Sequence, residues 1–168
     1  EYGSSVTGVA VCVDNKKPLS CRCRVLPGSK GVYLRSELRD GASGKVLSTK
    51  ETEVSSLTEL NDYRDPLSDC ALLKCAVMCL ASAHADNGQG EGDDLQSFLS
   101  DLCGMQESVR LEVIVTSLLP HGSGLGTSSI LGGCILAAVG KSIGIDLVSK
   151  GDPLFRDLID SVLVVEQR

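Results

Sequence analysis

Alternation of apolar and polar residues predicts four short β-strands in the first third of the chain. They are expected at residues 6–13, 20–26, 32–37 and 45–48. Turn-forming residues separate them, including Asp14 to Pro18 and Pro27 to Gly31. Alternation of this kind places apolar side chains on one face of a sheet and polar side chains on the other. We therefore expect an antiparallel meander with one solvated face.

Arg22 and Arg24 alternate with apolar residues on the second predicted strand. Two arginines on one strand face could clamp a phosphate group. Like charges in this arrangement more often form the solvated side of a sheet, and that interpretation is favoured here.

Helical patterns begin after a polar stretch at residues 51–64, which predicts a connection with a short strand over residues 52–58. Asp65 and Pro66 suit a cap and a first helical position. The following run, residues 67–82, is apolar on nearly all sides, which predicts a buried helix. His84 follows this helix and is expected to interact with its carboxyl end.

Two more helices are predicted downstream. Residues 95–103 form a short amphipathic segment that Gly104 ends. The last helix begins at Asp152 and Pro153 and continues to the end of the chain. Residues 86–94 resemble a calcium loop, but the bidentate glutamate and flanking helices of an EF-hand are missing, so a solvated acidic loop is expected.

The most informative stretch combines a strand, a glycine-rich loop and a helix. Residues 109–116 alternate as in a strand, and residues 130–139 form an apolar run that predicts a buried helix. Between them lie three glycines, Gly122, Gly124 and Gly126, which let backbone amides turn toward an anion. Thr127, Ser128 and Ser129 then place hydroxyls at the helix start, where unpaired amides and the helix dipole favour phosphate. The stretch therefore predicts a phosphate-binding site.

Comparison with known phosphate-binding loops indicates which kind of loop this stretch could be. No lysine follows the last glycine, as a Walker loop would require, and the spacing Gly-x-Gly-x-x-Gly is absent. The stretch resembles the second motif of the GHMP kinases, Pro-x-x-x-Gly-Leu-Gly-Ser-Ser, and within that superfamily it most resembles the L-fucokinases. The residues that match the motif are Pro120, Gly124, Leu125, Gly126, Thr127 (for the first serine) and Ser128.

This resemblance implies a fold and a set of site residues. The fold would be the α+β amino-terminal domain of a GHMP kinase, with a mainly antiparallel sheet covered by helices. ATP and Mg²⁺ would be the cofactors, with Ser128 and Glu166 as metal ligands. The ATP phosphates would be bound by the loop and helix start: Pro120, His121, Gly122, Ser123, Gly124, Leu125, Gly126, Thr127, Ser128 and Ser129. The implied reaction is transfer of the γ-phosphoryl group of ATP to a sugar hydroxyl, with L-fucose the expected acceptor.

Other parts of such an enzyme have no counterpart in these 168 residues. The first residue is Glu1, and the resemblance implies that the first family motif precedes it, that the catalytic base follows Arg168, and that the carboxy-terminal domain is missing. The whole chain is thus expected to be one partial amino-terminal domain that is inactive alone. A heptose-phosphate kinase and a non-catalytic sugar or nucleotide sensor remain as alternatives.

Composition excludes some partners. A net charge of −6 and a scarcity of aromatic residues argue against nucleic acid and anionic membranes as partners. Neither a membrane-spanning run nor a signal peptide is evident, and eight cysteines without a Cys-x-x-Cys pair fit buried thiols better than disulfides or a zinc site. Such thiols predict a reducing, cytoplasmic location.

Overall fold

The computed structural model of the protein describes residues 5–8, 17–65, 67–85, 94–119 and 127–144, with side chains described outside 5–8 and 81–85. The strands are β1 (Ser5–Gly8), β2 (Leu19–Pro27), β3 (Gly31–Arg39), β4 (Val46–Val54) and β5 (Val109–Ser117). The helices are α1 (Leu57–Asn61), continued by a 3₁₀ turn at Asp62–Arg64, α2 (Ala71–Ala85), α3 (Leu95–Cys103) and α4 (Thr127–Ser142). The fold class is α+β, as expected.

The five described strands form one sheet in the order β1-β2-β5-β3-β4. The predicted meander is wrong in one respect, because β5 lies between β2 and β3. It pairs antiparallel with β2 and parallel with β3. Its apolar alternation suits this position, because Val109, Leu111, Val113 and Val115 are each at most 1% exposed. The other described pairings are antiparallel, so the expectation of a mainly antiparallel sheet is confirmed.

One face of the sheet is covered by helices. Leu34 of β3, Val113 of β5 and Cys23 of β2 form one cross-strand row, and each is 0% exposed. Helix α4 packs on β2 and β1 and against α2, while α3 packs on β5 and β3. We call this the covered face and the opposite one the open face.

Two predicted strands, residues 45–48 and 52–58, differ from the structure, which has one strand that ends at Val54 and a helix that begins at Leu57. Residues 51–54 belong to β4, which runs without interruption from Val46 to Val54. The sequence divided this strand because only Val54 is buried along it, so alternation is weak.

Helix α1 was missed. Its signal is Ser56 followed by Glu59, the spacing of a capping box. The Ser56 hydroxyl accepts a hydrogen bond from the Glu59 amide at 3.2 Å, and the Glu59 carboxylate accepts one from the Ser55 amide at 2.7 Å.

Helix α2 begins later than predicted. Asp65 does not cap it, because its carboxylate accepts a hydrogen bond from the Leu67 amide at 2.9 Å and forms a local turn. Leu67 is 87% exposed, and the first helical residue is Ala71. The prediction of a buried helix is confirmed for the described side chains, since Leu73 to Val77 are all buried.

Helix α3 has the predicted bounds, and Gly104 ends it at φ +62°. Asp94, assigned to the acidic loop, is its N-cap and accepts from the Gln96 and Ser97 amides. The rest of that loop, most of the first predicted strand, the final helix with Glu166, and Pro120 to Gly126 lie outside the described residues. The role expected for His84 involves a side chain that is not described.

Within the described part of the chain, no helix has the length and apolar character needed to cross a membrane.

Candidate functional site

The junction between β5 and α4 positions the candidate site. At the end of β5 the Leu118 amide donates to the Pro18 carbonyl at 2.7 Å, which fixes the chain to the start of β2. The Ser117 hydroxyl donates to the Leu119 carbonyl at 2.8 Å and accepts from the Leu119 amide at 3.1 Å. These local bonds turn the chain out of the sheet, and α4 begins eight residues later at Thr127.

The structure brings part of the predicted site together. Thr127 and Ser128 occupy the first turn of α4, where Thr127 is half-buried and Ser128 is exposed. Ser129 follows in the same turn and is half-buried. The remaining predicted residues, Pro120, His121, Gly122, Ser123, Gly124, Leu125 and Gly126 of the loop and Glu166, lie outside the described residues.

A cavity of about 570 Å³ opens beside this helix start. It lies where the carboxyl ends of the parallel strands β3 and β5 meet, the edge at which ligands bind in many α/β folds. Helix α2 also begins at it, so the first turns of two helices form its wall. The described residues that line it are Leu19, Ser36, Leu38, Ser48, Thr49, Lys50, Ser68, Cys70, Ala71, Leu72, Leu73, Ser117, Leu119, Thr127, Ser128 and Leu131. We call it the helix-start cavity.

Its lining combines an apolar wall with a polar rim. Leucines from β2, β3, α2 and α4 supply apolar surface, and serine and threonine hydroxyls supply donors and acceptors. Among the described residues that line the cavity, Lys50 is the charged one. The Lys50 amine lies 3.1 Å from the Asp69 carboxylate. The described lining contains no carboxylate. Two helix amino termini, hydroxyls and an amine favour an anionic ligand that also carries an apolar group.

Cys70 caps α2 in an unusual conformation. Its φ is +58°, a left-handed value that it alone has among the described residues other than glycine. Its carbonyl accepts from the Leu73 and Lys74 amides, so it stands at the N-cap of α2, where an extended conformation is the rule. A left-handed non-glycine residue costs on the order of 1 kcal/mol or more, and such strain is concentrated at functional sites.

A buried lysine holds the loop before α2 in place. Lys74 is 4% exposed, and its amine donates to the Asp62 carboxylate at 2.6 Å and to the Ser68 hydroxyl at 3.0 Å. Burial raises the pKa of Asp62, but hydrogen bonds from Lys74 and Ser68 outweigh it and leave that pKa below its ordinary value. Because Ser68 lines the helix-start cavity, Lys74 fixes part of the cavity wall from outside.

The cysteines behave as core residues where they are described. Cys21, Cys23, Cys70, Cys75, Cys79 and Cys134 are buried thiols outside any disulfide. Burial raises the pKa of Cys23 to about 12 and that of Cys103 to about 11. No group of three His, Cys, Asp or Glu residues suited to a metal ion occurs in the described ranges. The expectation of buried thiols is confirmed for these residues.

Sequence reasoning missed Lys50, Ser68, Cys70 and Lys74. Lys74 had a signal, since it is the one basic residue in the largely apolar run 67–82, and a charge in a buried helix needs a partner. Lys50 and Ser68 had none, because only the tertiary fold brings β4 and the loop before α2 beside α4.

Comparison with known proteins gives limited information. No protein-family model matches the chain, and no curated protein matches it. Among solved structures, the mevalonate kinase of Methanococcus jannaschii is similar over 89% of this chain, with 14% sequence identity and a TM-score of 0.47. The chain spans only 37% of that kinase chain. The functional inference therefore rests on the residues of the site itself.

Proposed function

We propose that this chain is the ATP-binding portion of a kinase of the GHMP type, and that the helix-start cavity holds the nucleotide. The observation that carries the proposal is the position of Thr127 and Ser128. The motif at residues 120–129 assigns both to the phosphates, and both line the cavity at the first turn of α4. Its volume of about 570 Å³ falls within the roughly 300–1,000 Å³ typical of small-molecule sites.

The cavity chemistry suits a nucleoside triphosphate. Phosphate oxygens would accept hydrogen bonds from the amides of residues 122–129 and be attracted by the positive end of the α4 dipole. The leucines of α2 and α4 would contact the apolar faces of the nucleoside. Lys50, across the cavity from α4, would add positive charge near the phosphates if its contact with exposed Asp69 opened.

Magnesium would neutralise charge on the phosphates and the transferred group. The residues available suit this hard cation, because Ser128 offers a hydroxyl oxygen and Glu166 a carboxylate. Ser128 is exposed at the cavity and free to turn toward a phosphate-bound ion. The position of Glu166 is proposed from sequence alone.

For the whole protein we propose phosphoryl transfer to a sugar hydroxyl, with L-fucose the first candidate acceptor on the basis of the motif. The described residues would contribute by positioning the nucleotide and stabilising its charge. They include no group assigned here as the base. A heptose phosphate is the second acceptor to be assayed.

Binding of Mg–ATP to the 168-residue chain tests the proposal directly. Titration calorimetry should detect ATP binding that is stronger with Mg²⁺ than with EDTA. Ser128→Ala should weaken the Mg²⁺-dependent affinity about tenfold and change the affinity in EDTA by less than twofold. Ser29→Ala is the matched control, because Ser29 lies in the turn after β2, outside the described lining of the cavity, and no side-chain hydrogen bond joins it to a described residue.

Absence of ATP binding by the chain would contradict the nucleotide proposal. Equal loss in Ser128→Ala and Ser29→Ala would contradict the metal role of Ser128. Turnover assays with L-fucose and with heptose phosphate, using a chain extended at both ends, then distinguish the acceptors. Tight Mg–ATP binding without transfer to either would favour a sensor.

A further inference from the structure

The open face of the sheet carries a second cavity, separate from the helix-start cavity. It measures about 260 Å³ and is lined by Ser20, Cys21, Arg22, Arg35, Glu37, Arg39, Ile114 and Thr116. We call it the arginine pocket. On β3 the two cavities use alternate residues, since Ser36 and Leu38 line the helix-start cavity while Arg35, Glu37 and Arg39 line the arginine pocket. They therefore lie on opposite faces of the sheet.

Strand register explains how the arginines converge. Arg22 of β2 is aligned with Ile114 of β5, which is aligned with Arg35 of β3. The two arginines thus lie on one cross-strand row, two strands apart, with Ile114 between them. Ser20, Thr116 and Glu37 form the neighbouring row in the same way. The pocket occupies the space between these rows.

Glu37 organises two of the arginines. This carboxylate is only 5% exposed. Its Oε2 accepts from Arg39 Nε at 2.8 Å and from Arg39 Nη2 at 2.6 Å, and its Oε1 is paired with Arg35 Nη2. Both carboxylate oxygens are therefore occupied by guanidinium groups, which hold the two arginine side chains in fixed orientations.

Positive charge remains after this pairing. The described lining contains three arginines and one glutamate, so its formal charge is +2 in a chain of net charge −6. The Arg22 side chain makes no ion pair or hydrogen bond with any residue that the structure describes. Arg35 Nε is buried and has no hydrogen-bond partner among them. Arg35 Nη1 also lies 3.9 Å from the carboxylate of Glu51, a long contact to an exposed group that accepts from the Tyr33 hydroxyl at 2.9 Å as well.

We propose that the arginine pocket binds a phosphate group, either as free phosphate or as the monoester of a small molecule. Guanidinium groups donate paired hydrogen bonds that match the oxygens of phosphate. Arg22 supplies guanidinium donors that no described residue occupies, and Arg35 and Arg39 supply those that Glu37 leaves. The hydroxyls of Ser20 and Thr116 lie on the same side. This site is independent of the proposed nucleotide site.

Two arginines of β2 provide a matched test. Arg22 lines the pocket, whereas Arg24, two residues along on the same face, does not. Both are exposed and neither is paired with a described residue, so Arg22→Gln and Arg24→Gln remove the same charge without breaking a described contact. Circular dichroism and thermal unfolding should show that both variants fold like the parent chain.

Binding of inorganic phosphate and of glycerol 3-phosphate is measured by titration calorimetry at constant ionic strength, with chloride as the reference anion. We expect the parent chain to bind phosphate, Arg22→Gln to weaken binding at least tenfold, and Arg24→Gln to change it less than twofold. Tighter binding of glycerol 3-phosphate would support a monoester ligand, and equal binding would support recognition of the phosphate group alone.

Two outcomes would overturn the proposal. One is failure of the parent chain to bind either compound more strongly than chloride. The other is an equal loss in Arg22→Gln and Arg24→Gln, which would show a general attraction of anions to a basic strand rather than a defined site.

Discussion

The covered and open faces of the sheet are built from alternate residues of the same strands. On the covered face, Cys23, Val113 and Leu34 form an uncharged row that is completely buried. One residue away along β2, β5 and β3, the open face presents Arg22, Ile114 and Arg35. Burial of apolar area stabilises the fold on one side, while the other side keeps charged groups near water. The comparison shows that stability and ligand chemistry can be changed separately in this sheet.

Removing apolar volume from the two faces should give the largest difference. Leu111 is 0% exposed on the covered face, and Leu111→Ala should lower the free energy of unfolding by about 2–5 kcal/mol. Ile114 is half-buried on the open face, so Ile114→Ala should cost about 1 kcal/mol. Urea unfolding followed by circular dichroism measures both. Equal losses would mean that the open face is part of the core.

Thiol reactivity should report the burial of the covered face. Burial raises the pKa of Cys23 on the covered face to about 12, so at pH 8 only about 10⁻⁴ of this thiol is ionised. Iodoacetamide should label Cys23 roughly 1,000-fold more slowly in the native chain than in urea. Cys103, with a pKa of about 11 and partial exposure, should react faster than Cys23. Peptide mapping by mass spectrometry gives both rates, and rapid native labelling of Cys23 would contradict its burial.

On the open face, Glu37 should make the free energy of unfolding depend on pH in the acid range. Burial raises the pKa of Glu37, but hydrogen bonds from Arg39 and the charge of Arg35 outweigh it, so that pKa is below its ordinary value. The unfolded chain therefore takes up the proton first as pH falls. The stabilisation is present above the unfolded pKa of about 4.3 and is lost as pH falls through the folded value.

Glu37→Gln should accordingly cost on the order of 1 kcal/mol at pH 7, since Arg35 and Arg39 remain partly solvated. The difference between the parent chain and Glu37→Gln should shrink below about pH 4. Thermal unfolding from pH 3 to pH 7 measures it. A difference that stays constant over this range would contradict an ionised, paired Glu37.

The smallest effect is expected for an exposed ion pair at the other end of the open face. Arg110 Nη2 lies 2.9 Å from Glu53 Oε1, and the Glu53 side chain is 70% exposed. Glu53→Gln should therefore lower the free energy of unfolding by less than about 1 kcal/mol, and 1 M salt should abolish the effect. A loss above about 2 kcal/mol that persists in salt would contradict the solvent exposure of this ion pair.

The sequence was sufficient to predict a strand or helix where one side of that element is buried. The alternation in residues 109–116 and the Gly104 stop after α3 each depend on local spacing, and the structure confirms both. The order of the strands in the sheet could not be predicted. An alternating strand such as β3 or β5 fits equally well beside β2, and the sequence pattern does not distinguish them. Helix α2 was placed too early since Asp65 forms a local turn as readily as a helix cap.

The candidate site was predictable only in part. The motif predicted Thr127 and Ser128 as site residues, and the structure adds the cavity that they line. Lys50 and Cys70 reach that cavity through pairing of β3 with β4 and packing of α2, neither of which leaves a local pattern. The arginine pocket shows the same limit: Arg22 and Arg24 are equivalent in sequence, and only the register with Ile114 and Arg35 distinguishes them.

The central position of β5 has a consequence for synthesis of the chain. Until Val109–Ser117 leaves the ribosome, the β1–β2 and β3–β4 pairs have no strand to join them into one sheet, and a two-stranded pair alone is marginal in water. More than eighty residues separate the end of β2 from the start of its partner β5. At ordinary rates of translation the edges of β2 and β3 that pair with β5 stay open for several seconds, so a chaperone that binds nascent chains should associate with this protein before β5 emerges.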